Sequence, residues 1–138
     1  MSSEYLVRPI GRVHSELRNR ADAPRQGFEG APDARLEILP AFAPALDGIA
    51  PGQEILLLTW LHQAERDVLM VHPRDDESRP MRGVFSTRSG DRPNPIGVHR
   101  VKVLEVGKHG WLHVRGLEAI DGTPVIDIKA VFQGIAED

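Results

Sequence analysis

Apolar and polar residues alternate along much of the chain in short runs broken by Gly and Pro, the period-of-two pattern of strands with one covered face. "YLVRPIGRVH" (5–14) and "RLEIL" (35–39) read as strands, and "FAPALDGIAPGQ" as one or two helical turns ended by Gly48 and Pro51. "EILLLTWLH" is a nearly continuous apolar run, which predicts a strand buried on both faces, with "RDVLMVH" as its neighbour. "GVFSTR" reads as another strand. "IGVHRVKVLEV" is a long one whose apolar parity changes between Val98 and Val101 and again between Val103 and Leu104, as bulges or a bend would produce. Lys108-His109-Gly110 is a hairpin turn, "WLHVRG" the returning strand, and "DGTP" a turn before "VIDIKAV". Two polar stretches stand between these elements: the long loop 16–34, which contains "APRQGFEG", and the charged loop 73–80. The pattern predicts a mainly-β fold, a small β-barrel or folded mixed sheet with short helical segments, in a single domain over residues 1–138.

Composition narrows the chemistry. The chain has 138 residues and no cysteine, which excludes disulfides, thiolate catalysis and a zinc ribbon and leads us to expect a cytoplasmic protein. No leader pattern opens it, and the apolar run Ile55–Leu61 is far shorter than the ~20 residues of a membrane-spanning helix, so a soluble protein is expected. A formal charge of −3 offers polyanions no global attraction. A local patch does: residues 82–102 carry Arg82, Arg88, Arg92, Arg100 and Lys102 against Asp91 alone, with Pro93 and Pro95 bracketing Asn94 and stiffening the loop. Dinucleotide-binding, P-loop, zincin and nucleophile-elbow motifs are absent. The six histidines do not cluster at ligand spacing, so no metal is expected.

Three further segments suit a ligand. In "APRQGFEG", Arg25 and Gln26 lie between a proline and two glycines, where main chain can approach a bound molecule. His62 and Gln63 follow the most apolar strand and set polar groups at its rim. In "EAIDGTPVIDIKA", simple alternation puts Asp127 and Lys129 on the face of Val125, with Ile126 and Ile128 on the other.

Taken in order, "IGRVHS", "PRQG", "WLHQ", "RGVFSTRSGDRPNPIG" and "LEAIDGTPVIDIK" resemble the TrmO (TsaA-like) family of S-adenosylmethionine-dependent methyltransferases, from about Ile10 to Lys129. The resemblance implies a small β-barrel, a homodimer, binding of S-adenosylmethionine, and N6-methylation of threonylcarbamoyladenosine beside a tRNA anticodon. It further implies that Pro24, Arg25, Gln26, His62, Gln63, Arg88, Val98, Ala119, Ile120, Asp121 and Gly122 line the donor pocket. From residue chemistry, Asp127 with Lys129 is the expected acceptor of the departing N6 proton. Arg82, Arg92 and Arg100, presented by the loop around Asn94, are expected to meet RNA. Two departures from the family pattern stand out. "HSEL" lacks an aromatic residue, and "DIK" is followed by "AVFQGIAED" rather than Pro-Tyr. A non-catalytic donor-binding barrel, or transfer to an acceptor other than tRNA, is the alternative.

Overall fold

A computed structural model describes residues 3–17 and 33–132; Pro24, Arg25 and Gln26 lie outside the described residues. The described residues form eight strands: β1 (Gly11–His14), β2 (Ala34–Ile38), β3 (Glu54–Trp60), β4 (Met70–Val71), β5 (Arg82–Gly83), β6 (Ile96–Val106), β7 (Trp111–Arg115) and β8 (Pro124–Ala130). Six of them close a barrel in the order β1-β2-β7-β6-β3-β8, every neighbouring pair antiparallel, while β4 and β5 form a separate two-stranded sheet. Short 3-10 segments cover Pro40–Leu46, Pro73–Asp75 and Val84–Ser86. The mainly-β barrel expected from the sequence is what forms.

Alternation fills the interior. Leu36 and Ile38 of β2, Ile55 and Leu57 of β3, Val101 and Val103 of β6, and Leu112 and Val114 of β7 point inward and are buried. Each contributes about 1.5–3 kcal/mol by leaving water. Closure depends on Gly11, where a Cβ would meet the Glu37 carbonyl oxygen and lie 3.0 Å from Ile38 Cα. Only a residue without a side chain lets β1 approach β2 that closely. Among the described residues no helix is long and apolar enough to cross a membrane.

Several local expectations are corrected. Residues 5–10 belong to no strand. β3 is covered on one face, since Ile55, Leu57 and Thr59 are buried whereas Leu56, Leu58 and Trp60 are half covered outside. In β6, Gly97 and His99 continue the inward parity of Val101, so the first proposed change of parity is absent; the second coincides with a bulge between Val103 and Glu105. In β8, Leu58 pairs with Asp127 but Thr59 with Val125, which leaves Ile126 as an extra residue. That bulge keeps Val125 and Ile128 inside and turns Asp127 and Lys129 outward, opposite to simple alternation.

Candidate functional site

Between β3 and β6 the chain leaves the barrel for residues 61–95 and builds a lobe with very little core. β4 and β5 pair through only Met70↔Gly83 and Val71↔Arg82, too short a sheet to hold itself. Polar bonds set its shape instead. Leu61 N–H donates to the Pro95 carbonyl (2.8 Å), Arg92 N–H to Glu65 (3.1 Å), and Glu65 N–H to the Asp91 carboxylate (2.8 Å), zipping the two ends together. The Arg92 guanidinium donates to the carbonyls of Ser89, Val84 and Thr87, each at 2.7 Å. Arg66 donates to the Pro93 carbonyl (2.7 Å) and Asn94 Oδ1 (3.1 Å) while lying over the Trp60 ring. "GVFSTR" is therefore a 3-10 turn rather than a strand. The Ser86 and Thr87 hydroxyls donate to the Gly83 and Val84 carbonyls (2.8 and 2.9 Å), a local alternative to a sheet ladder. "RDVLMVH" contributes only β4, which pairs with β5 and not with β3.

The lobe and one end of the barrel enclose a groove of ≈ 1680 Å³. His62, Gln63, Arg88, Val98, Ala119 and Ile120 all line it, joined by Arg82, Arg92 and Arg100. Asp121, Gly122, Asn94, Asp127 and Lys129 do not line it. Asp121 Oδ1 accepts from Ser15 N–H at 3.0 Å, and Gly122 N–H donates to the Val13 carbonyl at 2.8 Å; both tie the β8 approach to β1. Asp127 pairs with Lys129 at 3.3 Å on the outer wall, its Oδ1 accepting from Ile128 N–H at 2.9 Å. The arginines divide by role. Arg92 is drawn inward to carbonyls and Arg100 is paired with Glu54 at 2.8 Å, whereas the guanidinium groups of Arg82 and Arg88 make no hydrogen bond or ion pair to another described residue.

Val98 owes its position to an open ladder. β6 pairs with β3 from Ile96 to Lys102, but with β7 only from Lys102 onward. The Arg100 carbonyl faces the Gly116 side, 4.0 Å from where a Cβ on Gly116 would be, and period-two alternation turns the Val98 main chain the same way. Its N–H and C=O thus face the groove as one donor and one acceptor side by side, the pattern an adenine edge requires.

Glu118, His99, Phe85 and Thr123 are among the groove residues not singled out from sequence. Six arginines against four carboxylates line the groove (Glu54, Asp75, Asp91, Glu118), a cationic hollow in a chain of net charge −3. At its floor Nε2 of His99 and the buried Thr59 hydroxyl share a hydrogen bond of 2.8 Å. Burial lowers the His99 pKa to about 4, so the ring is neutral at physiological pH. A Cβ on Gly97 would meet both groups, at 2.6 Å from Thr59 Oγ1 and 2.8 Å from His99 Nε2.

A family model described as tRNA-methyltransferase O N-terminal domain matches residues 12–136. The chain belongs to this family. Among relatives of the TrmO N-terminal domain, a probable S-adenosyl-L-methionine-binding protein of Methanothermobacter thermautotrophicus is 47% identical over 132 residues, covering 96% of this chain and 93% of that protein. An S-adenosyl-L-methionine-binding protein of Archaeoglobus fulgidus is 44% identical, covering 90% and 87%. The crystal structure of TrmO from Pseudomonas aeruginosa superposes with a TM-score of 0.74 at 33% identity and covers 99% of this chain. The chain spans 61% of the length of that TrmO chain.

Proposed function

We propose that this TrmO-family domain binds S-adenosylmethionine in the groove and transfers its methyl group to N6 of threonylcarbamoyladenosine in tRNA. The observation that carries this reading is convergence: His62 and Gln63, Arg88, Val98, and Ala119 with Ile120 come from four separate segments and line one hollow. The residues suit the donor. The Val98 main-chain edge matches adenine, the Arg88 guanidinium matches the amino-acid carboxylate, and Ala119 and Ile120 supply an apolar wall. The donor supplies a methyl group on a sulfonium, already a good leaving group. What the protein adds is alignment and exclusion of water, which lowers such a barrier by roughly 7–11 kcal/mol. The N6 proton leaves as the new N–C bond forms. Glu118, a half-buried carboxylate of the groove, is better placed to take it than Asp127, which sits on the outer wall.

A homodimer is part of the same reading. Leu56, Leu58 and Trp60 on the outer face of β3 are half covered, and Ile96 beside them is exposed, a surface suited to a second copy.

Incubating the protein with labelled donor and tRNA from cells lacking the modification, followed by nucleoside mass spectrometry, tests the reaction. Label on threonylcarbamoyladenosine is expected. The close full-length relatives carry names that speak only of donor binding. Saturable donor binding by calorimetry without transfer to any RNA would favour that second reading.

A further inference from the structure

Phe85 is 81% exposed, while Val84 beside it is 2% exposed. Leaving a phenyl ring in water forgoes about 1.5–3 kcal/mol of burial. The turn leaves it little choice of direction. Val84 N–H donates to the Leu69 carbonyl (2.9 Å), and the Val84 carbonyl accepts from Thr87 N–H (3.1 Å), the Thr87 hydroxyl (2.9 Å) and Arg92 (2.7 Å). With Val84 anchored inward on both sides, the next side chain is presented outward on a rigid backbone. Other exposed apolar residues of the lobe, Leu69, Met70 and Met81, do not line the groove; Phe85 does, together with Arg82 and Arg88.

We propose that Phe85 is the stacking platform for the acceptor: a purine of single-stranded RNA, turned out of its stack, lies on the ring while Arg82 faces a flanking phosphate. This rests on the methyl-transfer reading above. An aromatic ring with two chain torsions, held on a fixed turn, orders at small entropic cost, and base-on-ring stacking tolerates a modified base. The charged lining favours nucleic acid over an apolar peptide, and an aromatic platform flanked by guanidinium groups is how single-stranded RNA is gripped.

The test compares wild type with Phe85→Ala, Phe85→Tyr and Phe85→Trp, measuring donor binding by calorimetry, KM and kcat for an anticodon-loop RNA, and sedimentation. Phe85→Ala is expected to raise KM for RNA about tenfold, with donor affinity and mass unchanged. Phe85→Tyr restores it, and the emission of Phe85→Trp is quenched when RNA is added. An unchanged KM in Phe85→Ala beside active wild type overturns the stacking role and leaves the transfer reading intact. Weakened donor binding, or dissociation of a dimer, overturns it in favour of a donor-pocket or interface role. A wild type that binds donor but neither binds nor methylates RNA overturns both proposals.

Discussion

The barrel and the 61–95 lobe are built by opposite means. In the barrel, inward side chains such as Leu57, Val103 and Leu112 exclude water entirely, and the ladders follow from their spacing. In the lobe Val84 is buried, but the shape comes from two guanidinium groups, two hydroxyls and a carboxylate bonded to main chain. A hydrophobic core tolerates only its own shape, whereas polar struts leave neighbouring surface free for a ligand. That is why the groove's candidate ligand-binding groups cluster on the lobe and on the barrel end facing it. Truncating the barrel therefore has the largest effect. Leu57→Ala should remove about 3 kcal/mol of stability, read as a lower urea midpoint at constant slope. A loss under about 1 kcal/mol would mean the barrel interior is not the dominant source of stability.

His99 stands where the two regions meet, and its titration separates them. Its folded pKa of about 4 lies below the unfolded value of 6.5, so between those values the unfolded chain binds the extra proton. Stability is unaffected by this group above pH 6.5. It falls as pH drops toward 4, by up to about 3 kcal/mol for this one group. Comparing urea midpoints from pH 7 to pH 4 for wild type and His99→Gln checks it: the variant should lose the part of the slope due to this group. Equal slopes would show that the ring has water access in solution.

The same contrast explains what was legible in the sequence. β7 was readable because period-two burial is written in residue types, β3 from its apolar run although not its one-sided burial, and β6 begins and ends where the pattern does. "GVFSTR" was not, since its strand-like composition is overruled by Ser86 and Thr87 bonding back to carbonyls and by Arg92 reaching across the loop. The basic loop was legible as rigid and cationic. Which arginines support it and which face outward was not, because that depends on carbonyls several residues away whose direction composition does not encode. Val98 could be assigned only through resemblance: its qualification is an unpaired strand edge, a property of the ladder and not of the side chain.

Removing one strut should loosen the lobe and spare the barrel. In Arg92→Ala three carbonyls each lose one donor, a change of about 2 kcal/mol confined to the turn. Amide exchange should accelerate across residues 83–95 while β3 and β7 keep their protection, and donor affinity should fall about tenfold. Uniform acceleration through the barrel would show that lobe and barrel unfold as one unit.

The smallest effect is expected on the outer wall. Asp127→Asn keeps the oxygen that accepts from Ile128 N–H and removes only a half-exposed ion pair with Lys129 at 3.3 Å. Such pairs contribute under about 1 kcal/mol. Because this carboxylate does not line the groove, donor affinity and kcat should both stay within about twofold of wild type, less than 1 kcal/mol in barrier. A large fall in kcat at unchanged donor affinity would mean that the carboxylate reaches the reacting nitrogen after all. Leu58 of β3, paired with both Asp127 and Val98, stands between the carboxylate and the groove, and a groove completed by the outer wall of a second copy is one geometry that would bring them together.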